Sequence, residues 1–298
     1  MPQFTVSEIW RYPVKSMGGE QIHEASVSEK GIDQDRVWAI RDEKTKTIRG
    51  AKHFGDLMHF SARCLERRFS DQVAHVEITL PSGKKVCSDD DSVHQFISEA
   101  LGRAVTLWPI MPENNDNHYR LQDLPKASSL KEFRRSFGLE DGEPLPDMSG
   151  FPKELLREFV RFSTPRGTYF DAYPINILTT ASLFKLASFC PDSSLDRRRF
   201  RPNILVSDNK ALCDFVEDGW LNNSLIIGSS KFEIETRTVR CVMVTRSQPE
   251  IPKDTVIMRR LVEHASQKLS VYATVSTPGN ICTGNVVTLP NLGVSNAS

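Results

Sequence analysis

FTVSEIWRY, residues 4–12, is a strand-length run rich in β-branched and aromatic side chains, and its repetition decides the fold class. Working outward from it, QIHEASVSE (21–29), RVWAIRDE (36–43), LMHFSARCLE (57–66), HVEITLP (75–81) and AVTLWPI (104–110) have the same character, and turn residues separate them. Pro81-Ser82-Gly83-Lys84 joins HVEITL to KKVCS as a hairpin. Val93–Leu101 reads as one short helix stopped by Gly102. The first part of the chain is therefore expected to be an all-β module with one helix.

Residues 111–148 are rich in Asn, Asp, Pro and charge, which is the composition of a connector. Beyond them, PKELLREFVRF (152–162), TASLFKLASF (180–189) and DTVIMRRLVEHASQKL (254–269) carry apolar residues at helical spacing, the last with a face of Val256, Leu261, Val262 and Ala265. NILTT, PNILVS, SLIIG, KFEIET, CVMVT and NVVTLP read as strands between and after them. The expected class is α+β, mostly β: an N-terminal domain at 1–112, a connector at 113–148, and a second mixed sheet or barrel with peripheral helices at 149–298. No internal repeat or low-complexity tract is evident.

The chain has 298 residues, enough for about two domains, and its 38 Lys+Arg balance 38 Asp+Glu. Nothing at whole-chain level steers it toward nucleic acid or an anionic membrane, so any basic site must be local. No apolar run approaches the roughly 18 residues of a spanning helix, and the start lacks a signal-peptide pattern. A cytoplasmic protein with reduced thiols is the expectation, because the six cysteines lie far apart without a CxxC pair. The seven histidines show no metal-ligand spacing, and none is assigned to a metal.

Five short stretches carry more information. They are Tyr12-Pro13-Val14-Lys15-Ser16, Asp35-Arg36, Phe200-Arg201-Pro202-Asn203-Ile204, Arg240-Cys241 followed by Val-Met-Val-Thr, and Pro278-Gly279 with Gly284 before a last strand. Together and in this order, they resemble the MOSC family, which holds the C-terminal domain of molybdenum cofactor sulfurase and the mitochondrial amidoxime-reducing component. The resemblance implies an N-terminal MOSC-type β-barrel domain, then a MOSC β-barrel domain, and a molybdenum cofactor (Mo-pyranopterin).

Cys241 is the candidate catalytic residue and metal ligand. A thiolate binds soft metals, and the neighbouring Arg240 and Arg237 would favour that form. A lone cysteine on a strand is otherwise a small buried side chain. The other five are read as structural. Lys15 and Ser16 end a strand near Gly18-Gly19, where an ammonium and backbone can approach a phosphate, although a lysine there is by default a solvated loop charge. Arg36, Arg201, Asn203 and Arg240 complete the cofactor-binding set that the resemblance implies, since a guanidinium suits both phosphate and ring heteroatoms. Asp35 offers Arg36 a structural ion pair instead, and Arg197–Arg199 are read as pairing or solvated charges. Asp171, Ala172 and Tyr173 form the expected substrate pocket. The family has small hydroxyl residues where this chain has Ala172 and Tyr173, which implies altered substrate preference.

The activity that the resemblance implies is a two-electron reduction of N-hydroxylated substrates that breaks the N–O bond and releases water. The chain has no nucleotide fingerprint and no plant-type ferredoxin cysteine spacing, so electrons are expected from a separate electron-transfer protein. Two other classes remain open: a sulfur or cofactor carrier using Cys241, and an enzyme with the same fold but a repurposed cleft without molybdenum.

Overall fold

A computed structural model describes residues 3–66, 73–121 and 129–290. Seven strands close into a barrel: Ile204–Asp208 pairs with Ile175–Thr179 in parallel, and then Lys268–Thr277, Ser230–Val239, Ser224–Ile227, Val286–Thr288 and Phe4–Arg11 follow in antiparallel sequence. Phe4–Arg11 is the closing stave. Its register runs Phe4↔Asp208 to Ile9↔Ile204 on one side and Phe4↔Val287 on the other. Closure removes the exposed edge that an open sheet would present. The core behind it joins Val6, Ile9, Val27 and Ile32 to Ile175, Ile204, Phe232 and Val271. Thus Phe4–Arg11 and residues 24–32 pack largely with the second half of the chain, and Glu24–Ser28 also pairs with Gly279–Cys282.

A second core fills residues 14–107 and takes in Met243 from the barrel side. Around it lie two three-stranded sheets, one of Trp38–Asp42, Thr47–Arg49 and Val105–Pro109, the other of Ser61–Cys64, Val76–Thr79 and Lys85–Cys87. The expected helix spans Val93–Leu101 and ends at Gly102, whose φ of 63° lies where a Cβ is disfavoured. Helices Thr180–Phe189 and Val256–Ala265 cover a third core against Leu178, Leu205 and Val244.

Several expectations need correction. CVMVT is not a strand. Pairing ends at Val239↔Lys268, so Val242–Thr245 satisfies its backbone locally as a 3₁₀ turn, with Val244 N–H donating to the Cys241 carbonyl. Its side chains divide between cores, Met243 into the N-terminal one and Val244 under the helices. Likewise the first half of LMHFSARCLE is 3₁₀ (Gly55–His59), and only Ser61–Cys64 is extended. The buried face of the helix at 256–265 is Ile257, Met258, Leu261 and Ala265, while Val256 at its first turn is 47% exposed. That helix stops at Ser266 in the left-handed region, a position without glycine, and the ten-residue strand Lys268–Thr277 follows where the sequence reading continued the helix. The connector contains a further helix, Ser129–Phe137.

Candidate functional site

The barrel mouth facing the N-terminal domain is built on strained backbone. Ser16, Arg36 and Arg201 have φ of 69°, 53° and 50°, a left-handed conformation that non-glycine residues hold only when their surroundings over-determine it. Those surroundings are a hydrogen-bonded clamp. Asp35, fully buried, accepts from the Tyr12 backbone N–H at 2.7 Å and from Asn203 Nδ2 at 3.1 Å, and it pairs with the Arg36 guanidinium. Asn203 Oδ1 in turn accepts from Arg36 Nη1 and the Asn176 N–H, both at 3.2 Å. Asn176 Nδ2 donates to the Phe200 and Arg201 carbonyls at 3.0 and 3.2 Å. Tyr12 lies under the guanidinium groups of Arg201 and Arg36, whose carbons are 4.2 and 5.0 Å from its ring centre.

Arg240 is equally committed. It donates to the Leu269 and Phe200 carbonyls at 3.0 and 2.9 Å and to Ser270 Oγ at 2.5 Å, which fixes the chain immediately before Cys241. Burial pulls the pKa of both Arg240 and Arg201 down to about 10, so each stays cationic near neutrality. Arg201 bonds the Met17 carbonyl through Nη1, but its buried Nη2 has no partner among the described residues.

These side chains face one cavity of about 310 Å³ between the barrel mouth and the N-terminal domain. Lys15, Ser16, Arg36, Asp171, Ala172, Tyr173, Arg201, Asn203, Arg240 and Cys241 all line it. Lys15 Nζ donates to Asp171 Oδ1 at 2.6 Å and to the Tyr169 carbonyl at 2.9 Å, and its burial lowers its pKa despite Asp171. The Asp171 carboxyl loses solvation, which would raise its pKa, but Lys15, Lys52 and Arg36 outweigh that and hold it well below the usual carboxylate range.

Cys241 is half-buried at the junction of Val239 and the 3₁₀ turn, with its side chain packed against the N-terminal core. Of the two charges read near it in the sequence, Arg240 stays electrostatically coupled to it and Arg237 is engaged elsewhere. Arg237 is ion-paired with Asp218 at 2.7 Å, and Arg240 is directed into backbone carbonyls. Lys52 is a further cation in the cavity with Cys241: burial would lower its pKa, yet Asp171, Cys241 and Tyr272 raise it instead. Lys52 and Asn176 were not found from sequence, because nothing in their local strings marks them, and Arg199 was read there as a pairing or solvated charge. Also unanticipated was an opposite wall of Phe133, Phe137, Phe151, Phe159 and Phe162, closed by Tyr173 and Tyr272, whose rings are 5.4 Å apart. The spacing of Phe133 and Phe137, four residues apart on a helix, was the available signal, and their rings lie 4.6 Å apart.

Two family models match this chain: the MOSC N-terminal beta barrel domain over residues 3–89 and the MOSC domain over residues 164–288. The chain belongs to the MOSC family. Among relatives of this MOSC protein, mitochondrial amidoxime-reducing component 1 of Mus musculus is 25% identical over 96% of this chain and 82% of its own length. Mitochondrial amidoxime reducing component 2 of Homo sapiens is 25% identical over 95% and 82%. The YuaD protein of Bacillus subtilis, a solved structure, aligns over 96% of this chain and 94% of its own at 11% identity and a TM-score of 0.41, a likeness too slight to inform the fold. Among the described residues of the MOSC protein, no helix is long and apolar enough to cross a membrane, and no group of three His, Cys, Asp or Glu side chains is placed to hold a metal.

Proposed function

We propose that this MOSC protein is an oxidoreductase that reduces N-hydroxylated substrates with a molybdenum cofactor, and that it takes its electrons from a separate protein. In this reading residues 1–112 and 149–298 are its two domains, and the connector 113–148 contributes part of the aromatic wall. The observation that carries the proposal is the charge of the cavity. Lys15, Arg36, Lys52, Arg199, Arg201 and Arg240 line it with Asp171 as the one carboxylate, and Cys241 lies in the same wall. Such a lining suits a polyanionic ligand.

The residues fit a phosphorylated pterin on two independent counts. Buried polar atoms in native structures are nearly always bonded, and an anion or ring heteroatom would give Arg201 Nη2 its missing partner. A metal bound by Cys241 would need ligands from elsewhere, since no group of three His, Cys, Asp or Glu side chains is placed to hold a metal among the described residues, and a dithiolene would bring them. The cofactor, when bound, supplies the two-electron chemistry. The chain's own share is binding and orientation. Cys241 offers its sulfur, Lys15 and Arg201 hold negative charge from either side of the domain junction, and Asp35 and Asn203 hold Arg36 rigid. Burial raises the Tyr173 pKa to about 12, so near neutrality its phenol is a hydrogen-bond donor to substrate, not a base. The aromatic wall keeps water from the reacting group and stacks flat substrates.

The test is elemental analysis of protein made in a host that synthesises the cofactor, followed by turnover of an amidoxime panel with reduced viologen. About one molybdenum per chain and turnover with viologen but not with NADH is the expected result. Metal-loaded protein inert to every substrate under strong reductant would reject the reductase reading. Sulfane sulfur on Cys241 without metal would replace it with the carrier.

A further inference from the structure

A second hollow, of about 180 Å³, adjoins the main cavity, and Lys15, Ser16, Lys52 and Asp171 line both. Its own walls are Ile48, Arg49, Gly50, Ala51, His53 and Leu121, none of which takes part in the site described above. The turn is pinned to the cofactor side of the cavity: the Ala51 N–H donates to Ser16 Oγ at 2.9 Å, and a Cβ on Gly50 would come within 2.7 Å of that oxygen. Only glycine lets the backbone pass so close.

The charges of this arm are unbalanced. Asp171 is the one carboxylate in its lining, and Lys15 already occupies it at 2.6 Å. Arg49 has no carboxylate partner among the described residues, and its recorded polar contact is the His53 ring at 3.5 Å. The Lys52 ammonium rests 5.7 Å from the Phe137 ring centre, also without an ion-pair partner among the described residues. Glu132 approaches the His53 ring, at 3.8 Å. A cavity needs roughly 10–15 Å³ to hold one water, so the arm has room for a group of several atoms.

We infer that this arm is an oxyanion subsite that takes a phosphate or carboxylate group between Arg49, Lys52 and the 50–53 turn. The inference rests on the reading of the main cavity as the cofactor site: Lys15 and Ser16 border both hollows, while Arg49 and residues 50, 51 and 53 line the arm alone. The same oxyanion chemistry has two possible sources: an acidic tail on the N-hydroxylated substrate, or the second phosphate of a dinucleotide form of the pterin.

The experiment uses the purified, cofactor-loaded protein and inorganic phosphate at constant ionic strength, read as a rise in Tm. A saturable rise is expected, with affinity at least fivefold weaker in Arg49→Gln and in Lys52→Gln and partly restored in Arg49→Lys. Equal responses in all four proteins, or no response in the parent, overturn the subsite. The source is read by two further measurements. A mononucleotide-free pterin mass, together with a matched substrate pair in which the phosphorylated or carboxylated member has a KM at least tenfold lower, assigns the arm to substrate. A dinucleotide mass assigns it to cofactor. Protein that yields no pterin while keeping the Arg49-dependent phosphate response rejects the cofactor reading and leaves the subsite standing.

Discussion

The two walls of the cavity are built on opposite principles. At the barrel mouth Asp35, Asn176, Asn203 and Arg240 are buried, and their side chains bond to one another or to backbone. Facing them, Phe133, Phe137, Phe151 and Phe159 come from short helices and loops, and the helix Lys153–Arg161 has no buried residue at all. A wall that is over-determined can hold strained, charged groups at fixed positions, whereas a wall whose Phe133, Phe137 and Phe159 rings are partly exposed around a buried Phe151 can change shape there at lower cost in stability. Under the proposed function, the first wall would anchor the cofactor and the second would select the substrate.

The largest expected effect is at the metal. Cys241→Ala should reduce molybdenum from about one per chain to near none while costing only about 1–2 kcal/mol of stability, as read by elemental analysis alongside urea unfolding. Normal metal content in that variant would remove the thiolate from the site. Next, Asp35→Ala leaves the Arg36 guanidinium without its buried partner, a loss of about 3–5 kcal/mol that should appear as a lower urea midpoint. A loss below about 1 kcal/mol would mean that the mouth is not over-determined and would erase the contrast between the walls.

Smaller effects sharpen the comparison. Arg201→Ala or Lys15→Ala should weaken cofactor retention by about ten- to a hundredfold, the value of one charge-assisted contact, measured as pterin remaining after dialysis. Behind the aromatic wall, His118 is buried and bonded to Tyr169 at 2.6 Å; burial, and then Arg41, pull its pKa down to about 4. The unfolded chain therefore binds the proton more tightly. Stability is full above pH about 6.5 and falls as the pH drops from there to about 4, amounting to about 2 kcal/mol at pH 5. Unfolding at pH 7 and pH 5 should show the His118→Gln variant losing about 2 kcal/mol less than the parent, with His53, whose pKa burial also lowers to about 4, contributing equally in both. Least costly should be Phe133→Ala: this ring is 37% exposed, so stability should change by less than about 1.5 kcal/mol while KM values across an amidoxime panel shift by a few fold.

The ten site residues expected from sequence share one cavity, and the roles of some are clearer in three dimensions. Arg36 both lines the cavity and pairs with Asp35, so the two sequence-level alternatives are simultaneous. Arg199, read as a solvated or pairing charge, is buried, with its guanidinium bonded to the carbonyls of Ser194, Val244, Arg246 and Pro252. Arg198 does pair with Asp196, at 2.7 Å. Lys52 was illegible because its importance comes from facing Cys241 across a domain junction, and no pattern within residues 50–54 encodes that.

What the sequence determined by itself was local. The helix at Val93–Leu101 with its glycine stop, the hairpin at Pro81–Lys84 and the helices at Lys153–Arg161 and Thr180–Phe189 follow from side-chain periodicity and backbone preference within a few residues. Only the tertiary structure decided that Phe4–Arg11 closes a barrel with strands near residues 204 and 287, that Cys241 sits on a turn instead of a strand, and that aromatic side chains from the connector face the arginines. The reason is physical. A helix end is settled by neighbours four residues away, but a strand has no preferred partner until the chain collapses, and a run such as CVMVT is extended only if another strand is left to pair with it.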